Sequence, residues 1–483
     1  MPAPTPGATP VAASFRAQPN GNYDVVATAP DIVDISLSMD YFSAGPVAPI
    51  PAGTTVTVHG VGTGQWRIRP GSVPPASANT QYAPVYIDTS SIAATTAAGQ
   101  AWTPNLDAKM WHWMASDTYG RVLVAAENPG SVWMSHDAGL SWTRTGSPTG
   151  NWSSAAVYTN FNDAGDRSGR SHPDILAAAY GGGLYEYRGL TGSWQPVPSG
   201  IPGVDFGNQQ WESVAASTGG YALAAVLNGP IYTRGFVSSS TSTPAWSATV
   251  EAASGQPLVR AWRGVSMSGS AAGRTLTGVP SNVSVAVCGE GQVWVSEGQG
   301  WVRRDVVVNG TTVADGWYRT AISSDGNVIA VAGQTNSGLY ISRDRGLTWS
   351  RAVTPTGDYT SISMTPDGAT IVATLKNGAS GAGSVQVSRD GGNNFAAATM
   401  PGTDTNWRAS TVSGDANLIG AAAGTFTSAA GQMYTSIKGD RTTWDTGALI
   451  GGQGASVELV LDSAGGGSAR WSIRSSTGTL TVR

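Results

Sequence analysis

The chain has 483 residues, a formal net charge of −4 and only 12% charged residues. It therefore lacks the basic blocks that nucleic acids or anionic membranes attract. It contains 64 Gly and 27 Pro, and no apolar run approaches the ~18 residues of a membrane-spanning helix. This composition favours many short strands joined by turns, so we expect an all-β chain without a membrane span.

The N-terminal part of the chain divides into two segments. Residues 1–14 have no basic or continuous apolar region of the kind found in secretory signals, and we expect a disordered lead-in. Residues 15–106 contain short β-type runs such as TTVTVHGVG and GQWRIRPG, which Pro and Gly separate. They predict an N-terminal β module.

Seven related passages fill residues 107–446, with an average period of about 48 residues, as expected for four-stranded propeller blades. Each passage begins with an aromatic residue, continues through two apolar strands and ends with a second aromatic residue. The opening residues are Trp113, Trp152, Trp211, Trp262, Trp317, Tyr359 and Trp407. The closing residues are Trp142, Trp194, Trp246, Trp301, Trp349, Phe395 and Trp444. One such sheet cannot bury both faces alone, so the repeats predict a seven-bladed β-propeller.

A short motif, S-x-D-x-G-x-[ST]-W, occurs at 135–142 and 342–349, and 388–395 carries the variant SRDGGNNF. An Asp in a turn accepts backbone N–H groups, and a Gly supplies positive φ. The motif resembles the Asp-box, or BNR, repeat of sialidases, oligoxyloglucan-type hydrolases, sortilin-like receptors and a photosystem assembly factor. The resemblance implies a propeller fold and structural roles in turns, away from any catalytic face. These roles fall on Asp137, Gly139, Trp142, Asp344, Gly346, Trp349, Asp390, Gly392 and Phe395.

The sequence does not match the sets of catalytic residues that a sialidase or a metal enzyme requires. The resemblance to sialidases implies an arginine triad, a Tyr–Glu nucleophile and an acidic Asp, after an aromatic-Arg-Ile-Pro run. The nearest segment, Trp66-Arg67-Ile68-Arg69-Pro70, has an extra Arg and precedes the first repeat. The four histidines show no metal-binding spacing. We therefore expect a protein that is not an enzyme, and a glycoside hydrolase or lyase remains open as the alternative.

The densest polar segment is TNFNDAGDRSGRSHPD, residues 159–174, in the first hairpin loop of the second repeat. A loop paired with itself by salt bridges is one hypothesis. A partner site or a Ca²⁺ site is the other. No further cofactor is expected.

The chain ends with residues 447–483, which contain the β-type runs ASVELVLDS, ARWSIRSS and TLTVR. The two ends of a propeller meet where the ring closes. We therefore expect these strands to join the N-terminal module in one small β-sandwich-like module.

These observations favour a non-catalytic recognition protein that binds a cell-surface glycan or polysaccharide, in the manner of a lectin or adhesin. A virion spike or fibre, anchored through the terminal β module, is a plausible extracellular setting. A protein-binding scaffold is the second alternative. Ligand contacts are predicted at Tyr180, Tyr221, Tyr359, Arg263, Arg319 and Arg408, of which the arginines lie near the starts of repeats.

Overall fold

The structure of the chain is a computed structural model that describes most of the sequence. The described residues are 7–13, 15–29, 31–37, 52–69, 85–88, 97–117, 120, 122–136, 138–139, 141–158, 174–189, 191–217, 221–235, 245–268, 283–298, 300–313, 315–334, 338–378, 383–414, 416–424, 430–438, 441–443, 449–465 and 468–482. They divide into two compact units. The first unit comprises residues 1–98, 136–138 and 437–483, and the second comprises 99–135 and 139–436.

All regular structure in these ranges is β-strand, which confirms the prediction of an all-β chain. No helix able to cross a membrane is found in the described part of the chain. The first strands are β1 (Thr9–Val11), β2 (Phe15–Arg16), β3 (Gly21–Val25), β4 (Ile32–Ser36), β5 (Thr55–Gly60), β6 (Gln65–Arg69) and β7 (Val85–Asp88).

The strands from Thr103 onward make up the repeats. They are β8 (Thr103–Lys109), β9 (Trp111–Ser116), β10 (Leu123–Glu127), β11 (Val132–Ser135), β12 (Thr143–Arg144), β13 (Trp152–Tyr158), β14 (Asp174–Gly182), β15 (Leu184–Arg188), β16 (Ser193–Pro196), β17 (Gln209–Ala216), β18 (Ala222–Arg234), β19 (Trp246–Ala248), β20 (Val259–Met267), β21 (Ser284–Cys288), β22 (Val293–Ser296), β23 (Trp301–Arg303), β24 (Val307–Val308), β25 (Thr311–Thr312), β26 (Trp317–Ile322), β27 (Ile329–Gly333), β28 (Leu339–Ser342), β29 (Ser350–Arg351), β30 (Gly357–Met364), β31 (Ile371–Gly378), β32 (Ser384–Ser388), β33 (Ala396–Ala397), β34 (Trp407–Val412), β35 (Leu418–Gly424) and β36 (Ala430–Ile437). The last strands are β37 (Arg441–Thr443), β38 (Leu449–Gly451), β39 (Ser456–Gly465), β40 (Ser468–Thr477) and β41 (Leu480–Val482).

The first unit contains two sheets with the orders β1-β3-β5-β39-β40-β7-β37 and β2-β4-β6-β38-β41. The first six strands alternate between the two sheets, so that β1, β3 and β5 lie in one and β2, β4 and β6 in the other. Within each of these sets of three, neighbouring strands are parallel. The C-terminal strands add antiparallel pairs, β39 to β5 and β38 to β6. Side chains from both ends of the chain share one core, for example Val58, Ile68, Leu459 and Trp471.

Regular secondary structure begins closer to the N-terminus than the sequence predicted. Residues 1–14 were expected to be a disordered lead-in, but Thr9–Val11 forms β1. Its three residues lie in parallel register with Tyr23–Val25, because their extended backbone completes the edge of the first sheet. Residues 1–6 and 14 lie outside the described residues.

In the second unit, four antiparallel sheets have four strands each: β9–β12, β26–β29, β30–β33, and β34–β36 with β8. The strands β13–β23 form one 11-stranded sheet, in which the pairs β14–β17 and β18–β20 link three successive antiparallel sheets that begin with β13, β17 and β20, and β24–β25 form a two-stranded sheet. The first strands of the sheets are β9, β13, β17, β20, β26, β30 and β34. Each of these strands packs against the next, and β34 packs against β9. The contacts between first strands therefore form a closed cycle.

The last sheet is completed by the beginning of the unit. Its order is β34-β35-β36-β8, so the fourth strand, Thr103–Lys109, comes from the beginning of the unit, whereas the other three begin at Trp407. The predicted boundaries lay at 106/107 and 446/447, whereas the second unit extends from Gly99 to Ser436. The sequence assigned the closing role of the seventh repeat to Trp444. That residue is outside the described residues, and β37, just before it, pairs with β7 of the first unit.

Trp102 occupies the closing position of the seventh sheet instead. Its Nε1–H donates to the Gly99 carbonyl at 3.1 Å, as that of Trp142 does to Gly139 at 3.2 Å. The Gly99 N–H donates to Ser436 Oγ at 2.6 Å. The same Ser–Gly bond occurs in the turns at 135–142, 342–349 and 388–395. The closing turn is thus assembled from two distant parts of the chain.

A pair of serine variants tests this closure. Ser436→Ala and Ser342→Ala each leave a glycine N–H without its acceptor, so each should lower the free energy of unfolding by about 1–3 kcal/mol. Only Ser436 joins two distant segments. Amide hydrogen exchange of β8 should therefore accelerate in Ser436→Ala and stay unchanged in Ser342→Ala. Equal exchange of β8 in the two variants would contradict the role of Ser436.

Candidate functional site

Every first strand of the second unit carries a fully buried aromatic ring at a β-bulge near its beginning. Six of these rings are Trp152, Trp211, Trp262, Trp317, Tyr359 and Trp407, as the sequence predicted. The seventh is Trp111, which corrects the prediction of Trp113. In the run Trp111-His112-Trp113 either Trp could open the repeat, and the position of the bulge shows that Trp111 does so.

The residue after each aromatic ring is the extra residue of the bulge and has no partner in the strand register. We call these seven residues the bulge ring: His112, Ser153, Glu212, Arg263, Tyr318, Thr360 and Arg408. All seven are polar. Bulges re-aim side chains and are frequent beside functional sites. The fold thus places one polar side chain from every sheet at an equivalent position.

Several bulge-ring residues belong to one connected cluster. Arg263 Nη1 lies 2.9 Å from Glu212 Oε1, and Arg319 Nη1 donates to the Arg263 carbonyl at 2.6 Å. The Arg319 guanidinium lies 3.9 Å from the Tyr318 ring centroid and 5.3 Å from that of Trp113. Arg319 and Trp113 belong to the fifth and first sheets, so this contact crosses the cycle of first strands. The central cluster is defined as His112, Trp113, Glu212, Arg263, Tyr318, Arg319 and Arg408.

Burial controls the charges in this cluster. It lowers the pKa of His112 to about 3, with Arg319 and Arg408 adding to the effect, so the imidazole is neutral at neutral pH. His112 Nδ1 lies 2.9 Å from the Trp152 carbonyl oxygen. Burial raises the pKa of Glu212, although Arg319 and Arg263 oppose it. Burial also lowers the pKa of Arg408. The cluster is therefore a desolvated site rich in guanidinium groups.

The predicted ligand residues separate into two groups. The structure brings Arg263, Arg319 and Arg408 together in the central cluster. Tyr180 is 36% exposed, and Tyr221 is partly buried. Neither belongs to that cluster.

The prediction of Tyr359 as a ligand contact is wrong. Its ring is fully buried at a bulge, and its hydroxyl donates to the Pro355 carbonyl at 2.8 Å and contacts Thr354. Burial raises its pKa to about 12. Tyr359 therefore has a packing role and offers no ring face to a ligand.

Sequence reasoning missed His112, Glu212 and Tyr318. The signal was present, because each directly follows the aromatic residue that opens a repeat. Because Trp113 was predicted to open the first repeat, His112, which precedes it, was not recognised as the residue that follows an opening ring. The single residue after each aromatic ring identifies most of the cluster once the bulge is recognised.

In the turns at 342–349 and 388–395, the Asp carboxylate accepts hydrogen bonds from residues of the same turn. Asp344 accepts hydrogen bonds from Ser342 Oγ and Thr348 N, each at 2.8 Å, and from Thr348 Oγ1 at 2.5 Å. Asp390 accepts equivalent bonds from Ser388 and Asn394. Asp137 of the third such turn lies outside the described residues. Each described carboxylate acts within its own turn, as a structural role requires.

Glycines in these turns adopt a backbone conformation that other residues rarely take. Gly139, Gly346 and Gly392 have φ values of 88°, 84° and 85°. The aromatic rings that follow, Trp142, Trp349 and Phe395, are buried or partly buried. The turns join the third and fourth strands, whereas the bulges lie where the first strands begin. In an antiparallel sheet, these are opposite ends.

A second polar group is buried between the second and third sheets. Glu186 accepts from Tyr158 and lies 2.9 Å from Arg234 and 2.7 Å from Arg188. Arg188 also pairs with Asp174 at 2.9 Å. Burial raises the pKa of Glu186, but Arg234 and Arg188 outweigh it, and the net effect lowers the pKa. Two acids balance two arginines, so this network is structural.

A cavity of about 600 Å³ lies beside the 388–395 turn. Its lining includes Gln100, Arg389, Asn394 and the outer strand Ala396–Ala397. It is therefore at the end of the sheets away from the bulge ring.

The predicted Ca²⁺ site remains a prediction. Residues 159–173 lie outside the described residues, and Asp174 is already held by Arg188 and by the Gly189 N–H at 3.0 Å. The ranges that the structure describes contain no group of His, Cys, Asp and Glu suited to a metal ion.

Comparisons with known proteins give little further information. No protein-family model matches the chain, and no curated protein matches it. One solved structure, described as "YCF48 bound to D1 peptide", is similar over 70% of this chain and 95% of its own, with 15% sequence identity and a TM-score of 0.44. A likeness of this size says nothing about ligand or activity.

The turn carboxylates should make the free energy of unfolding depend on pH in the acid range. Burial disfavours the Asp344 carboxylate, but hydrogen bonds from Thr348 and Ser342 outweigh it and lower the pKa below 3.8. Bonds from Asn394 lower that of Asp390 to about 2. The stability from such groups is complete above the unfolded pKa and is lost as pH falls through the folded pKa. Asp344→Asn should lower the free energy of unfolding by about 1 kcal/mol at pH 7, discounted for exposure.

Urea unfolding from pH 7 to pH 2 measures this effect. The difference between wild type and Asp344→Asn should shrink below pH 4, as the wild-type carboxylate takes up a proton. Asp107→Asn, at an exposed position of β8, is the control and should leave stability unchanged. A difference that stays constant through the acid range would show that Asp344 is not ionised in the turn.

The buried network provides a larger effect. Glu186→Gln should leave Arg234 without its carboxylate in a buried site and lower the free energy of unfolding by about 3–5 kcal/mol. Glu458→Gln, which affects an exposed ion pair with Arg474, should cost less than about 1 kcal/mol. Chemical unfolding at pH 7 compares the two variants. Similar costs would mean that the Glu186 network adds no more than a surface pair.

Proposed function

We propose that the second unit is a seven-bladed β-propeller. Three features support this: seven bulge aromatics at equivalent positions, first strands that contact one another in a closed cycle, and a last sheet that β8 completes. Propeller blades have four strands arranged around a central channel. The bulge ring then surrounds one end of that channel, and the turns carrying Asp344 and Asp390 lie at the other.

The propeller acts as a non-catalytic recognition unit, and the bulge ring is its ligand site. The observation that carries this proposal is the convergence of polar side chains from different sheets on the central cluster. Binding sites combine apolar walls with a few placed polar groups. Here the partly exposed ring of Trp113 supplies an apolar wall, and the guanidinium of Arg263 supplies donors.

The ligand is a glycan or polysaccharide. Sugars present many hydroxyl groups, which guanidinium and hydroxyl side chains bind by hydrogen bonds. The partly exposed ring of Trp113 can pack against the apolar face of a sugar ring. A set of weak contacts repeated around a ring is also suited to a polymer with many copies of one unit.

The first unit serves as the anchor of this recognition unit. Strands from both chain ends combine in its two sheets around one core, so it is a β-sandwich-like module that the chain enters and leaves. An attachment of this kind suits a spike or fibre that acts outside cells or on a virion. Its partner there would be a particle protein.

An enzyme is the first alternative. A two-carboxylate hydrolase needs a second acid near Glu212, and the central cluster contains one carboxylate, which pairs with Arg263. The sequence segment nearest to a sialidase marker lies in the first unit, where Arg67 pairs with Asp34 at 2.5 Å. These contacts favour binding over turnover.

A protein-binding scaffold is the second alternative, and the cavity beside Ala396–Ala397 favours it. This two-residue strand pairs with β32 and with no other strand among the described residues, and both of its residues line the cavity. An extended peptide could add a strand to such an edge.

A glycan array combined with a product assay tests the proposed function. The wild-type chain should retain glycans and release no sugar from them. The variant Glu212→Gln/Arg263→Gln removes the charges of an ion pair of the site and keeps polar side chains at both positions, and it should lose at least tenfold in affinity, as expected for hydrogen bonds to charged groups.

The matched control is Glu458→Gln/Arg474→Gln, which removes an exposed ion pair of the first unit and should bind normally. Sugar release would establish the enzyme instead. Glycan binding that survives loss of the Glu212–Arg263 pair would place the ligand elsewhere. Capture of a peptide without any glycan would establish the scaffold.

A further inference from the structure

The outer strands of the second unit accept extended backbone along their free edges at two places. Trp301, at the start of β23, donates its N–H to the Val250 carbonyl at 3.0 Å and accepts from the Ala252 N–H at 2.9 Å. Phe395, just before β33, donates its N–H to the Val353 carbonyl at 3.0 Å. In both places the pairing is parallel, and the added segment follows the outer strand of the preceding sheet. The fold therefore already uses strand addition at these edges.

The rest of the β33 edge is uncovered. The Ala398 N–H donates into β32 at 2.8 Å, so the N–H and C=O groups of Ala397 and Thr399 face away from β32. Both residues are exposed, and in the described part of the chain neither has a backbone partner on that side. The segment through Val353 does not supply one, because Pro355, two residues further on, has no N–H to donate.

The two uncovered residues also line the cavity of about 600 Å³ beside the 388–395 turn, a volume typical of ligand pockets. Val387 and Ala396 are directly opposite each other in the register, so they share one face of the sheet with Ala398. Gly99 lies over that face, since a Cβ on it would be 3.6 Å from Val387 Cγ2. Gln100 continues this second wall. A strand added at the edge would therefore direct alternate side chains into the cavity.

We propose that β33 and this cavity bind an extended peptide segment of a partner protein. The edges at Trp301 and Phe395 show what fits, because extended backbone already occupies them. The peptide adds a strand that forms hydrogen bonds with Ala397 and Thr399, and it places an apolar side chain over Val387. Its residues that face β33 are not proline, because they donate their N–H groups.

This site is separate from the proposed glycan site. It lies at the end of the sheets away from the bulge ring and uses none of the bulge-ring residues. One chain can therefore hold a glycan and a peptide together, and the inference does not depend on the ligand of the central cluster.

Selection from a random library of short synthetic peptides, with the full chain immobilised, supplies the probe. N-methylation of one set of alternate residues in a selected peptide should weaken binding at least tenfold, because those N–H groups face β33. N-methylation of the other set should be tolerated. Equal effects of the two sets, or a library from which no peptide is selected, would overturn the proposal.

A pair of variants at Thr399 places the peptide on this edge. Thr399→Pro removes the N–H that faces outward and should weaken peptide binding at least tenfold. Thr399→Ala keeps that N–H and is the matched control, so it should bind the peptide normally. Unchanged binding in Thr399→Pro contradicts the proposed pairing.

Hydrogen exchange of the wild-type chain gives a readout that does not depend on how Thr399→Pro folds. The amides of Ala397 and Thr399 should exchange at least tenfold more slowly when the peptide is bound. Protection confined to other strands would place the peptide elsewhere and overturn the proposal. Protection of the same two amides that grows with the concentration of the free chain would identify a second copy as the occupant, and that result also overturns it.

The glycan array separates this inference from the proposed function. A chain that binds the peptide and still retains glycans supports both. Peptide binding at this edge without any glycan binding refutes the glycan proposal alone. Glycan binding in a chain that selects no peptide refutes this inference alone.

Discussion

The architecture of the second unit depends on how its last sheet closes. Three strands of that sheet come from residues 407–437, and the fourth, β8, comes from the beginning of the unit. The Ser436 hydroxyl and the Gly99 N–H rebuild, across the break, the bond that Ser342 and Gly346 make within one turn. A linear row of sheets would leave two hydrophobic faces in water. Closure removes both, and it brings all first strands into one cycle.

The bulges connect this packing to recognition. In a regular strand, residues alternate between the two faces of the sheet. At each bulge an extra residue interrupts this register, so Arg263 has no partner on the neighbouring strand and its side chain can be re-aimed beside the buried Trp262. The large ring stabilises the contact between sheets, and the side chain of the next residue is free to face the centre of the cycle of first strands. The same local irregularity therefore provides stability at one residue and chemistry at the next.

Much of this organisation could be predicted from the sequence, because it repeats. The recurring aromatic residues predicted the sheets, and the motif at 342–349 predicted a turn whose Asp serves the backbone. Trp111 and Trp102 were missed for different reasons. Register decides between Trp111 and Trp113, and a single sequence does not show register. Trp102 belongs to a repeat whose other strands lie at the far end of the chain, and only tertiary pairing reveals that.

The central cluster was predicted in part for a similar reason. Arg263, Arg319 and Arg408 were predicted as ligand contacts because they lie near the starts of repeats. That Arg319 reaches Trp113 of a non-adjacent sheet depends on the geometry of the closed cycle. Charge balance among side chains from five strands is likewise a property of their convergence, so composition gave no indication of it.

The position of β8 has a consequence for biosynthesis. A ribosome makes this strand more than 300 residues before its partner β36, so its edge has to wait while the intervening chain emerges. Contacts so distant in sequence form late and slow the overall reaction. The pairing of β5 with β39 adds a second delay of the same kind in the first unit. Synthesis therefore has to be almost complete before either unit can reach its native state, and chaperones that shield strand edges would be of most use during that interval.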